Sequence, residues 1–320
     1  MLVLLLVTVL ARLPFLFDAV INWDESTFLL MGEDLLRGRL PYVHAWDNKP
    51  PLVFIPYAAA LAIFGDNVVG ARILGIAAVF AGALLVRRAA RRVIGRRGAD
   101  WAAVLLVLFS GAPPGSFAAM SEHIALPFFC LALDRMLAGG SSRRSFFATG
   151  VLLGLMVLVR TNLAYAALGF LLAVRILSPA GASARAISLA AGALVPPLIT
   201  AAVYAAAGRL DLFVRSVVVA PLAYAESGWL SGVETLSRMA RFGLRAEVLP
   251  LVLAALAGAF LLVRDARRGR TSARGLVALA LLLALTALST AGSGRYFGHY
   301  AIQFLPFAAI AAGRACAPLS

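Results

Sequence analysis

The chain has 320 residues, of which 62% are hydrophobic and 14% charged, with a formal net charge of +14. A soluble domain of this length cannot hide so much apolar surface, which comes in long runs such as 68–86, 186–207, 248–263 and 275–291. The positive charge is almost entirely arginine, clustered between those runs; that is the pattern of membrane topology, and it excludes nucleic acid as the partner.

Residues 1–17 are apolar, with no basic start and no small-residue cleavage site before Asp18. They read as an uncleaved first span and not as a removed signal peptide. A long loop, 18–67, follows. It opens Asn22-Trp23-Asp24-Glu25-Ser26, and Phe28, Met31, Leu35 and Leu36 then recur at helical spacing. This predicts a short amphipathic helix on the membrane surface, capped by Asn22 or Asp24 and ended by Gly38. Asp24 and Glu25 have two readings: acids favouring the positive end of that helix, or a carboxylate at the membrane boundary that takes a proton from an incoming hydroxyl. Further on, Lys49 is the only lysine in the chain and precedes Pro50-Pro51. Its ammonium suits a phosphate, and a solvated surface lysine is the alternative. The apolar run 52–64 covers thirteen residues. At about 20 Å of helix it is too short to span, so it is expected to lie on the outer surface.

Arg87, Arg88, Arg91, Arg92, Arg96 and Arg97 crowd one connection, and Arg264, Arg267, Arg268, Arg270 and Arg274 another. Both belong in the cytoplasm, so an even number of crossings separates them. The spans then read 2–17, 68–87, 101–119, 122–138, 145–159, 161–177, 186–207, 248–263, 275–292 and 301–314, with both ends inside. The predicted fold is an all-α, polytopic transmembrane bundle of about ten spans with outer-surface juxtamembrane helices. Twelve of the fifteen acids fall outside and only Asp100, Asp134 and Asp265 inside. The outer face is therefore where chemistry is expected, on the loops 18–67 and 208–247. No fixed-period repeat, low-complexity tract or soluble domain is evident.

Glu122 follows the broken stretch Gly111-Ala112-Pro113-Pro114-Gly115 and opens an apolar helix containing Pro127. Irregular backbone at membrane depth is tolerated where it lines a cavity, and an ionisable residue there is a functional candidate. An acid at a helix start near water is the other reading. His123 has no second histidine at metal spacing and is expected to be structural. Arg160, in Val159-Arg160-Thr161-Asn162, faces outward in this topology, either toward a donor phosphate or as a snorkelling arginine. Arg295, His299 and Tyr300 share the last outer turn. Cys130 and Cys316 have neither metal nor redox spacing and are expected to be unbonded.

Arg12-Leu13, Asp24-Glu25, Gly38-x-x-Pro41-Tyr42, Lys49-Pro50-Pro51-Leu52, Phe64-Gly65 and Ala71-Arg72, in this order, resemble the protein mannosyltransferase-like superfamily of polyprenyl-phosphate-sugar transferases, whose relatives include the aminoarabinose transferases. The likeness covers about residues 10–175 and returns at Gly294-Arg295-Tyr296-Phe297-Gly298-His299-Tyr300. It implies a GT-C fold, with the first outer loop forming two surface helices over a lipid-open cavity. It assigns Asp24 as the catalytic or acceptor-positioning carboxylate, Glu25 as its support and Glu122 as a second acid. Relatives often place a cation at the turn of Arg160, so with Lys49 it becomes a donor-phosphate residue. Arg295, His299 and Tyr300, a basic residue, an imidazole and a phenol converging in one turn, are expected either to grip the donor phosphate or to order the cavity. Some relatives have an acid directly before the Lys-Pro-Pro; here Asn48 stands there, with Asp47 one residue earlier, which weakens any metal site at that acid. No cofactor is certain, and the spacing does not support a divalent metal.

The resulting expectation is an inverting glycosyltransferase in the bilayer of a bacterial inner or plasma membrane, its site facing the periplasm or exterior. It would move a sugar from a polyprenyl-phosphate donor to an envelope acceptor. A transporter or flippase is the rival; it predicts paired interrupted helices in two related halves, which are not evident.

Overall fold

The computed structural model describes residues 1–18, 21–113, 115–140, 142–226, 231–292 and 296–317, and among these there are fourteen α-helices and no strand. α1 (Leu2–Arg12) runs into a 3-10 turn, Leu13–Phe15. α2 (Trp23–Leu36) starts where the Asn22 side chain accepts from the Asp24 amide at 2.9 Å. The chain leaves it at Gly38, whose φ of 73° is in the left-handed region. A 3-10 turn, Pro51–Val53, leads into α3 (Phe54–Phe64). α4 (Val68–Phe109), capped by Asn67, is broken into two arms at Gly95 (φ 72°, ψ −176°), in the middle of the first arginine cluster.

α5 (Ser121–Leu137), α6 (Arg143–Val159), α7 (Ala164–Leu177) and α8 (Ala182–Ala206) follow. α9 (Leu210–Val214) passes through a π turn into α10 (Ala220–Glu226), and α11 (Gly232–Gly243) precedes α12 (Leu249–Arg267). α13 (Ala273–Ala291) and α14 (Leu305–Cys316) close the bundle, the latter entered through the 3-10 helix Gly298–Phe304.

Four of the described helices, α4, α8, α12 and α13, are long and apolar enough to cross a membrane, and three further apolar segments, Leu2–Phe15, Pro51–Phe64 and Thr161–Leu177, are shorter. Large apolar side chains face outward on them, including Leu194, Leu198 and Ile199 on α8 and Leu253, Leu256 and Phe260 on α12. An outward surface of this kind is stable against lipid tails and not against water. α3 is eleven residues long, about 16 Å of helix against a hydrocarbon core of about 30 Å. It packs on α2 and α4, with Phe28, Phe54 and Tyr57 forming the aromatic core between α2 and α3.

Lipid-embedded helices associate mainly by close packing, so small residues collect at their contacts. α6 and α8 touch through glycine: a Cβ on Gly150 would stand 2.0 Å from the Leu189 carbonyl oxygen, and one on Gly192 2.1 Å from that of Phe147. The obstruction is rigid backbone, so the helices must separate to admit a side chain. Gly192→Leu is expected to destabilise the bundle by at least about 3 kcal/mol, read as a fall in melting temperature or folded yield in detergent.

The two arginine clusters meet at one end of the bundle. The Thr271 hydroxyl donates to the Val93 carbonyl at 3.1 Å, tying the second cluster to the first. The three acids expected to share that end pair with arginines there or nearby. Asp134 is 2.8 Å from Arg88 and 3.1 Å from Arg92, Asp265 is 2.7 Å from Arg314, and Asp100 pairs with Arg87. Asp134 closes α5 while Glu122 opens it, so the two acids stand about 18 Å apart along one axis. Both clusters therefore lie at the same end of the bundle.

Candidate active site

The end opposite the arginines is built on the irregular segment between α4 and α5. Arg12, buried at the end of α1, donates to the Ser110 hydroxyl at 3.2 Å and to the carbonyls of Ser116 and Phe117 at 2.9 and 3.2 Å. One guanidinium thus satisfies carbonyls that no regular structure pairs. Beside it, the Met120 amide donates to His123 Nδ1 and the His123 Nε2 lies 3.2 Å from the Ser110 carbonyl. An amide can only donate and a carbonyl only accept, so the proton is on Nε2 and the imidazole is a neutral strut. His123 is structural, as expected.

Glu25 sits behind this segment, almost fully buried. One oxygen accepts from the Ala119 amide at 2.7 Å, and the other faces Arg72 at 3.1 Å. Arg72 also donates to the carbonyls of Phe15, Leu16 and Asp18, and the Tyr57 hydroxyl donates to the Ala119 carbonyl at 2.6 Å. Glu25 therefore links α2, α4 and the start of α5. Asp24, one position earlier, is partly exposed in the first turn of α2, and among the described residues its carboxylate makes no hydrogen bond or ion pair. Its charge reaches Asp47, Arg160 and His299.

Glu122 is buried in the first turn of α5. Ser121 donates to its Oε2 at 3.1 Å, Arg160 Nη1 stands 3.0 Å from its Oε1, and His299 Nε2 lies 3.7 Å away. Arg160 Nη1 directs its hydrogen bond to the Ser121 hydroxyl at 2.8 Å, so its contact with Glu122 is one of charge and leaves Oε1 without a hydrogen. The guanidinium lies over the Tyr300 ring, 4.5 Å from its centroid, a cation–π contact. Burial pushes the His299 imidazole below its ordinary value against the pull of Glu122.

Lys49 is held by its own loop. The Tyr42 hydroxyl donates to the Lys49 carbonyl at 2.5 Å, and the Lys49 amide to Asp47 Oδ1 at 2.8 Å. The ammonium donates to Asn48 at 2.9 Å and stands 3.7 Å from Asp47. Burial pushes the Asp47 carboxyl up, against the pull of Lys49. Tyr42 adopts φ 74°, a conformation unusual outside glycine. Tyr204 and Ser216 hold the loop from outside, through the Pro41 carbonyl and the Trp46 indole. The charge of Lys49 is felt at His299 and Tyr300.

The structure thus groups Asp24, Lys49, Glu122, Arg160, His299 and Tyr300 and sets Glu25 behind them; Arg295 lies outside the described residues. Several polar atoms in this region are buried without a hydrogen-bond partner: Glu122 Oε1, Arg160 Nε, Thr161 Oγ1, both ends of the Asn162 amide, and Gln303 Nε2. Each costs about 1–3 kcal/mol if left so. Among the described residues no three His, Cys, Asp or Glu side chains converge as metal ligands. An apolar slot lined by Phe109, Pro113, Phe242, Val252, Leu305 and Ala308 adjoins a cleft edged by Arg238, Arg241 and Arg245, with Phe242 and Tyr296 in both walls.

Sequence reasoning passed over Arg12 and Arg72 as site builders, quoting them only as parts of a familiar pattern. An arginine outside the two clusters and inside an apolar run was the available signal. Nothing local marked Ser121 or Gln303.

Residues 48–210 match the family model described as dolichyl-phosphate-mannose-protein mannosyltransferase. The fold is similar to that of ArnT from Cupriavidus metallidurans bound to undecaprenyl phosphate, with a TM-score of 0.74 at 20% identity over 99% of this chain and 59% of that one. The apo form of ArnT gives 0.71 at 20% identity, over 100% and 60%. The Archaeoglobus fulgidus oligosaccharyltransferase in complex with Zn and sulfate gives 0.58 at 15% identity, over 98% and 48%. The fold is the GT-C membrane fold, and this chain spans between 48% and 60% of the length of those structures. No curated protein matches the sequence.

Proposed function

The chain belongs to the dolichyl-phosphate-mannose-protein mannosyltransferase family, and from that premise we propose that it is a membrane glycosyltransferase moving a sugar from an isoprenyl-phosphate donor to an envelope acceptor, with inversion. The observation that carries this reading is an unengaged carboxylate, Asp24, grouped with the cations Lys49 and Arg160 at the end of the bundle away from the arginine clusters.

Asp24 takes the proton of an acceptor hydroxyl. The freed oxygen attacks the anomeric carbon from the side opposite the phosphate, the anomeric carbon–oxygen bond breaks, and isoprenyl phosphate leaves with the bonding pair. Lys49 and Arg160 stabilise the charge that gathers on the leaving phosphate, and a dry, preorganised site makes that contribution large. The isoprenoid tail lies in the apolar slot, which shares Phe242 and Tyr296 with the arginine-edged cleft that Gly298 also lines. Ten crossings, with α4 counted as two, set this end on the periplasmic or exterior face of a bacterial inner or plasma membrane. α2 and α3 then lie along the outer leaflet. The likeness to ArnT gives no support to the transporter alternative.

Membranes containing the chain are expected to transfer radiolabelled sugar from isoprenyl-phosphate donors; no incorporation from any such donor overturns the reading. Lys49→Met is expected to lower transfer about 10- to 100-fold, since a charge-assisted contact to the phosphate is lost. A single cysteine at position 49 is expected to react with a membrane-impermeant reagent from outside. Reaction only from the cytosolic side overturns the topology.

A further inference from the structure

We propose that the unpaired polar atoms around Arg160 are the subsite that reads the hydroxyls of the donor sugar, with Asn162 and Gln303 as its specificity-determining residues; this rests on the glycosyl-transfer reading above. Two 3-10 segments carry it. Thr161–Leu163 follows Arg160 directly, and Gly298–Phe304 carries His299, Tyr300 and Gln303. Side chains three apart eclipse in a 3-10 helix, so Gln303 shares a face with Tyr300, whose ring lies under the Arg160 guanidinium. α13 packs against both segments, and its Ser289 hydroxyl approaches Gln303 Oε1 at 3.4 Å, turning the amide so that Nε2 is left unspent.

Arg160, Glu122 and Gln303 are each more than nine-tenths buried, yet Arg160 Nε, Glu122 Oε1 and Gln303 Nε2 lack hydrogen-bond partners, as do Thr161 Oγ1 and both ends of the Asn162 amide. The mixture identifies the ligand. A phosphate offers only acceptors, and Glu122 Oε1 and Asn162 Oδ1 would face it with lone pairs. A sugar hydroxyl both donates and accepts, so neighbouring hydroxyls satisfy Asn162 at both ends, Gln303 as donor and Glu122 as acceptor. Sites built to hydrogen-bond a hydroxyl discriminate strongly against analogues that lack it, because their own polar groups are then stranded.

The test uses the full chain in membranes, with the near-isosteric variants Asn162→Leu and Gln303→Met. Transfer is measured from a panel of isoprenyl-phosphate hexoses and their monodeoxy analogues, and binding of sugar-free isoprenyl phosphate is measured in parallel. The wild type is expected to prefer one intact sugar over at least one deoxy analogue by tenfold or more. Each variant should lose about tenfold or more on that sugar and discriminate less against the analogue, with isoprenyl phosphate binding within about twofold of wild type. Wild-type discrimination in both variants overturns the inference, since the atoms then serve only water. Equal loss of isoprenyl phosphate binding also overturns it, since they then serve the phosphate or the fold. No transfer by the wild type from any donor overturns the glycosyl-transfer reading itself, which separates the two failures.

Discussion

Asp24→Asn is expected to reduce sugar transfer by at least about 10³-fold while leaving the folded protein intact. The asparagine keeps the shape of the side chain and removes only the basic oxygen. Folding is insulated because the Asp24 carboxylate has no ion-pair or hydrogen-bond partner among the described residues, and the helix cap is the neighbouring Asn22. The lost charge at the positive end of α2 is worth about 0.3–1 kcal/mol. Glu122 is the weaker candidate for the base, since Ser121 donates to its Oε2 and the Arg160 guanidinium faces its Oε1 by charge alone, whereas Asp24 has neither contact among the described residues. Initial rates of label transfer at matched protein levels decide the matter, together with melting temperature in detergent. Equal incorporation by wild type and Asp24→Asn removes Asp24 from the chemistry.

The largest effect on stability is expected at Glu25 and Arg72. The pair is nearly inaccessible, and the Glu25 carboxylate also accepts from the Ala119 amide. Removing one member leaves a buried charge, so Glu25→Gln or Arg72→Met should each cost about 3–5 kcal/mol. The double variant should recover part of that loss, because neither charge is then stranded. The same series separates support from catalysis. If Glu25 acts by holding the start of α5, the activity of Glu25→Gln per folded molecule falls along with its melting temperature. A Glu25→Gln protein of wild-type stability without transfer would make Glu25 a chemical group instead.

Much of the site was legible before folding because its signals are local. Asp24 follows a capping asparagine at a helix start, Lys49 is the only lysine and stands before a rigid Pro-Pro, and Glu122 opens an apolar helix after broken backbone. The exact use of each acid was not legible. Asp24 and Glu25 are adjacent and chemically alike, yet successive helical residues point about 100° apart. One reaches toward Asp47, Arg160 and His299, the other into Arg72. Gln303 was invisible for the same reason: an amide near the start of an apolar helix is unremarkable until Ser289 and Tyr300 are found beside it.

The sequence by itself determined the solvent and which charged segments share an end of the bundle. Apolar run length and arginine clustering are additive properties of short segments, and the structure gathers both clusters and their three paired acids at one end. Only the tertiary structure decided which polar groups are spent and which are free. Pairs such as Arg72 with Glu25 and Arg160 with Glu122 join residues 47 and 38 positions apart. Their formation depends on how whole helices dock, and no periodicity within one segment encodes that.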